Sequence, residues 1–275
     1  MDKKKELIKQ MIQNKGQLIE MKKSAIKYTD TCEIKSIKSG ITSKVDEEEN
    51  GDEIERTIVG NTYNWLDSAG DVLVSGVFAK SLRERKDKMF HLHDHEFKIT
   101  SKVGEFKDIY EKPISWKELG VERDGDTESL IAESTVIKEY NPIIFREYKN
   151  GKINQHSVGM YYVKMLLGVN DPDEKEEFAV WNKYYPMLGN PEDADEQGYM
   201  WIVTEAKLIE ISAVLMGANP ITPTLDNNTK KPLDNTSQKT DKEPLDKDTQ
   251  ISGTINYKDL LNEFKKIKLK QNGRR

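Results

Sequence analysis

From Ile221 to Gln250 the chain runs through Asn, Thr, Lys, Asp and Pro, with only Ile221, Leu225, Leu233 and Leu245 to bury. Fixing one residue's backbone costs about 1–2 kcal/mol, and so few apolar side chains cannot offset that cost over a tract this long. The tract reads as a disordered linker or tail, so a folded core has to be assembled from the residues before it. Composition points the same way. The chain is 36% hydrophobic and 33% charged, too little apolar material to pack all of it. Beyond the tract, Ile255, Leu260, Leu261, Phe264 and Ile267 recur at helical spacing after the cap candidate Asn256, which predicts an isolated amphipathic helix from Tyr257 to about Lys270. At the other end, Leu7, Ile8, Met11, Ile12, Leu18, Ile19 and Met21 predict one amphipathic helix over Lys3 to about Lys27. The organisation expected is an N-terminal helix (1–30), a main domain (31–225), a linker (226–252) and a C-terminal helix and tail (253–275).

Several function classes lose support at once. Lys and Arg number 43 against 48 Asp and Glu, a formal charge of -5, so no basic excess calls for nucleic acid or an anionic membrane. The longest apolar runs, such as Ile209 to Gly217, fall short of the roughly 20 residues of a membrane helix. The N-terminus alternates polar and apolar residues where a secretion signal would have an uninterrupted apolar stretch. A single cysteine, Cys32, suits a reducing cytoplasm and reads as a strand residue in Thr31-Cys32-Glu33-Ile34.

Inside the main domain, β-type segments and helical ones interleave. Asp46 to Glu55 is an acidic loop candidate. Thr57 to Thr62 reads as a strand, Asn64 to Asp71 as turns, and Asp71 to Leu82 as a short strand followed by a helix. Met89 to Leu92, Ile99 to Ile109 and Ser129 to Ile137 add β segments, and Asn141 to Tyr148 reads as a helix before an Asn150-Gly151 turn. Ile153 to Leu167 alternates enough to be a strand or a strand plus helix, and Trp201 to Met216 has strand character. Asn170 to Glu177 and Asn190 to Glu196 are predicted as loops, with the core ending near Asn219-Pro220. A mixed α/β, or α+β, domain follows.

The chemistry concentrates on the four histidines. His91, His93 and His95 alternate, and on an extended strand residues two apart share a face, so the three imidazoles are candidates to hold one metal ion as in a metallohydrolase. The distal ligand such a site wants is missing from the pattern. The other route uses one imidazole as general base toward a hydroxyl, with a third group orienting the ring. His156 precedes Ser157 and would point to the opposite strand face, so a more distant histidine has to serve. In Gln155-His156-Ser157-Val158-Gly159-Met160, Gly159 permits the close backbone approach that an oxyanion site needs.

Taken in order, Gly60-Asn61-Thr62 through Gly76-Val77-Phe78, then Met89-Phe90-His91-Leu92-His93-Asp94-His95 with Val103-Gly104, then Ile153 to Met160, and finally Leu208 to Pro220 resemble the prohead maturation protease family of tailed bacteriophages. The core of that family is similar to the herpesvirus assemblin fold, and the resemblance covers roughly residues 57–225. It implies an α+β fold with an assemblin-like β-barrel or sheet core surrounded by helices. It implies Ser157 as nucleophile and His95 as base, with His93 in the competing frame. The third member is expected on the strand after the nucleophile, which makes it Glu210, with Glu205 as substitute. No cofactor or metal is implied. The substrates implied are scaffolding protein, the extension of the major capsid protein and the protease's own ends, cut inside the assembling prohead in the host cytoplasm, with self-association of the enzyme. A scaffold or capsid-assembly protein that has lost activity is the non-enzymatic alternative.

Overall fold

The computed structural model describes residues 3–27 and 51–225 of the chain. The strand expected around Cys32, the part of the acidic run before Gly51, the linker and the helix expected over 257–270 lie outside the described residues. Along the chain come α1 (Lys3–Gln13), α2 (Lys15–Lys23), β1 (Glu53–Thr62), β2 (Asp71–Leu73), α3 (Ala79–Arg85), β3 (Phe90–His93), β4 (Lys102–Ser115), β5 (Asp126–Ile137), α4 (Pro142–Lys149), β6 (His156–Val169), α5 (Lys175–Tyr184), α6 (Pro191–Gln197), β7 (Tyr199–Ala213) and β8 (Thr224–Leu225). Among the described residues the result is a mixed α+β fold built on one mixed sheet of eight strands.

β7 organises the sheet. Its whole length pairs antiparallel with β6, while β2 and β3 pair parallel with its two ends. Because β6 occupies one edge of β7, β2 and β3 must share the other, one beyond the other. From β3 the sheet continues antiparallel through β4, β5 and β1 to β8. The apolar alternation of these strands buries Ile58, Leu130, Val136 and Ile211 on the sheet, and α5, α6 and the segment between them cover Val72, Met200 and Ile202 with Trp181, Ala194 and Leu188.

The structure departs from the sequence expectations in several places. The N-terminal helix is two helices, because Asn14 ends α1 by donating its side-chain amide to the Gln10 carbonyl at 2.7 Å. Both helices are tied down: Leu7, Met11 and Leu18 are buried, Lys22 Nζ lies 2.6 Å from Asp71, Lys15 Nζ lies 2.6 Å from Glu177, and the Lys27 N–H donates to the Met160 carbonyl at 2.8 Å. The acidic loop ends early, since β1 begins at Glu53. The expected loop over Asn190 to Glu196 is largely α6, with Pro191 in its first turn, Glu192 and Asp193 favouring its N-terminus, and Gly198 at φ 77° closing it. α5 begins inside the expected loop over Asn170 to Glu177. The core also runs past Pro220: Ile221 and Thr222 are buried and β8 pairs with β1.

Candidate active site

Glu210 sits near the end of β7 and is fully buried. Ser212 follows two residues later and so shares its face. In the antiparallel ladder Gly159 lies opposite Glu210 and Ser157 opposite Ser212, and directly opposed residues project to the same side. On the other edge of β7, Phe90 pairs with Glu210 and Leu92 with Ser212, while His91 and His93 pair with Ile211 and Ala213 and therefore face the other way.

The chain reverses that alternation immediately after β3. Asp94 and His95 both adopt left-handed backbone, φ 51° and 55°, a conformation that L-residues other than Asn, Asp, His and Gly rarely visit. Two hydrogen bonds to β7 hold them there: the Asp94 N–H donates to the Ala213 carbonyl at 2.9 Å and the His95 N–H to Ser212 Oγ at 3.1 Å. The turn carries His95 onto the Glu210 face, where its ring Nδ1–H donates to Glu210 Oε1 at 2.6 Å. The second carboxylate oxygen, Oε2, accepts from Ser212 Oγ at 2.6 Å. A buried carboxylate needs such donors, and here an imidazole and a hydroxyl supply them.

Ser212 has its one proton committed to Glu210 and accepts the His95 N–H, so of the two facing serines it is the one used for support. Sequence reasoning missed it, although Glu210-Ile211-Ser212 on a strand already placed both polar side chains on one face. Gly159 acquires a steric task that the sequence did not reveal. A Cβ at this position would stand 2.1 Å from Glu210 Oε1 and 2.9 Å from its Cδ. The missing side chain is the space the carboxylate occupies. Beside it the ladder slips between Gly159 and Met160, leaving Ile209 as the extra residue of a bulge next to Glu210.

The other candidates go elsewhere. His93 is half-buried, with Nδ1 at 3.0 Å from Asp94 Oδ2. His91 is bonded to Ser134 and Tyr148 on the opposite face, and His156 has one ring nitrogen on Tyr148 and the other on the Thr222 carbonyl. Burial pulls His91 down to about 3, the nearby His156 adding to the shift, and burial pulls His156 down to about 4, so both rings are neutral at ordinary pH. The shared face expected for His91, His93 and His95 does not form, because the left-handed pair breaks the strand's period of two. Among the described residues no three His, Cys, Asp or Glu side chains are grouped to hold a metal ion. Glu205 forms an ion pair with Lys164 at 2.5 Å, which holds its carboxyl below the usual range.

The arrangement that results is a buried carboxylate bonded to an imidazole, with a serine on the adjoining strand of the same face. Compared with protein-family models, curated proteins and solved structures, the chain finds no match.

Proposed function

We propose that the chain is a serine endopeptidase of the prohead maturation type, with Ser157 as nucleophile, His95 as general base and Glu210 as the carboxylate that orients the base. The observation that carries this reading is the 2.6 Å hydrogen bond from His95 Nδ1 to buried Glu210, on a face shared with Ser157. That bond fixes the tautomer: with the proton on Nδ1, the acceptor is Nε2, the nitrogen a general base needs. Ser157 Oγ gives its proton to His95 Nε2 as it attacks a peptide carbonyl. The Glu210 carboxylate stabilises the imidazolium. His95 then passes the proton to the leaving amine, and water, deprotonated by the same ring, hydrolyses the acyl-enzyme. The oxyanion needs backbone N–H donors, which we assign to the chain around Gly159 and Gly217. At Gly217 a Cβ would meet the Ser157 Cβ at 3.5 Å and the His156 carbonyl at 3.0 Å, a measure of how closely the segment after β7 passes the serine.

The core is proposed to be assemblin-like on the same grounds as the motif resemblance. The substrates proposed are scaffolding protein, the major capsid protein extension and the protease's own ends, within the prohead. Metal-dependent hydrolysis through His91, His93 and His95 is set aside because the three rings are bonded to different partners on different faces. The test is co-expression of the full chain with a capsid-protein precursor, comparing wild type with Ser157→Ala and His95→Ala. Loss of substrate cleavage and self-cleavage by about 10⁴-fold or more in both variants is expected. Persistent cleavage in Ser157→Ala would sink the serine mechanism, and a wild type that never cleaves would leave the non-catalytic capsid-assembly role.

A further inference from the structure

Behind the candidate site, on the opposite face of β7, a chain of buried polar groups links the same strands. Ser134 Oγ on β5 lies 2.7 Å from His91 Nδ1, His91 Nε2 lies 3.1 Å from the Tyr148 hydroxyl, that hydroxyl lies 2.9 Å from His156 Nε2, and His156 Nδ1 lies 2.9 Å from the Thr222 carbonyl. All of these side chains are buried. One end determines the direction of every bond. A carbonyl only accepts, so His156 Nδ1 carries its proton, and in the neutral ring Nε2 accepts from the Tyr148 O–H. The Tyr148 oxygen then accepts from His91 Nε2–H, which leaves His91 Nδ1, at 2.7 Å, to accept the single Ser134 proton in place of the Glu105 carbonyl at 3.3 Å. No donor or acceptor of the two rings is left over.

The catalytic reading uses none of these groups, yet the two histidines among them sit on the strand that holds Ser157 and the strand that leads into His95. His91 lies on β3, whose end turns into Asp94 and His95, and His156 immediately precedes Ser157 on β6. β7 separates β3 from β6, so no backbone ladder joins them directly. Tyr148, at the end of α4, reaches both.

We propose that Tyr148 is a positioning residue for Ser157 and His95: by accepting from the imidazole on β3 and donating to the imidazole on β6, its hydroxyl sets the spacing of the two strands across β7. This rests on the serine-protease reading. A misplacement of about 1 Å in such a pair costs on the order of 100-fold in rate.

The test is the rate at which a fluorophosphonate labels the full-length chain. The Ser157 Oγ–P bond forms as the P–F bond breaks, the hydroxyl proton and fluoride leaving together. Tyr148→Phe keeps the ring and removes the bridge. Well below its melting temperature it should react about tenfold more slowly or worse at saturating reagent, with the reagent's apparent affinity unchanged. The downfield Nδ1–H proton resonance of His95 should shift in the same variant, which a loss of stability alone would not cause. His91→Gln, which leaves Tyr148 bonded to His156, is the second variant and should also slow labelling if Tyr148→Phe does not fold. Wild-type labelling in either folded variant overturns the role of Tyr148 while the protease reading stands. A wild type that is never labelled at Ser157 removes the protease reading and the positioning role with it.

Discussion

Gly159→Ala tests the site through a residue that has no side chain to contribute. The added Cβ would stand 2.1 Å from Glu210 Oε1, so the carboxylate has to withdraw by about 1 Å or more before the contact becomes tolerable. Oε1 is held 2.6 Å from His95 Nδ1, and a withdrawal of that size takes the pair past the ~3.2 Å limit of an N–H···O hydrogen bond. The fully buried carboxylate then keeps only the Ser212 donor, at a stability cost of about 1–3 kcal/mol. The orientation of the base is lost with the bond, and the rate should fall by about 10²-fold or more. The assay is fluorophosphonate labelling of Ser157 alongside capsid-precursor cleavage, with thermal melting to establish that the variant is folded. Because the effect is transmitted by the Glu210 side chain, Gly159→Ala should add little in a Glu210→Ala background, where neither the clash nor the bond to His95 remains. Wild-type labelling by folded Gly159→Ala, or a loss undiminished in the Glu210→Ala background, refutes the reasoning.

Further outcomes follow from the same geometry. Ser212→Ala removes the donor to Glu210 Oε2 and the acceptor of the His95 N–H; it should slow labelling by about 10–100-fold while costing ~1–3 kcal/mol in denaturant unfolding. Burial, with the Asp71 carboxylate adding to it, pushes Asp67 up to about 7, above the ~3.9 of an unfolded chain. The folded state thus holds more protons between those values, and stability falls as pH rises from about 4 through 7. Asp67→Asn, whose amide oxygen can still accept the Ala69 and Asp71 N–H groups, should raise the melting temperature at pH 8 and change it little at pH 4; an equal gain at both pH values would contradict the assignment. His91 and His156, pulled to about 3 and about 4, have the opposite sign: the unfolded chain protonates first, near ~6.5, so stability should fall as pH drops from there toward 4, and urea midpoints flat over that range would count against buried neutral rings. Lys22→Ala leaves buried Asp71 without its cation, a loss of about 3–5 kcal/mol. It should expose α1 and α2 to proteolysis before the sheet opens, and unchanged hydrogen-exchange protection over residues 3–27 would contradict that.

Much of the mixed α+β fold was present in local pattern. The alternation in Ser129 to Ile137 and Trp201 to Met216, the helix signal before Asn150-Gly151 and the strand-then-helix over Asp71 to Leu82 depend on neighbours in the chain, and the structure has those elements with shifted ends. Elements set by fewer or subtler cues were misread: α6 hides behind acidic residues that resemble a loop, and β8 is two residues long and exists only because β1 offers it an edge.

Side-chain alternation is a local property, so the order of residues was enough to put Ser157 and His156 on opposite faces of one strand. Tertiary structure alone decided where His95 goes. A strict period of two assigned it to the side of His91 and His93. Two left-handed residues, held by hydrogen bonds to Ala213 and Ser212 from a strand more than a hundred positions away, turned it onto Glu210. The same holds for Gly159, whose missing side chain acquires meaning only when β7 lays a carboxylate over it, and for Tyr148, which joins two histidines that no local pattern connects. Each of these depends on contacts between distant segments, and the short-range periodicities of a sequence carry no record of them.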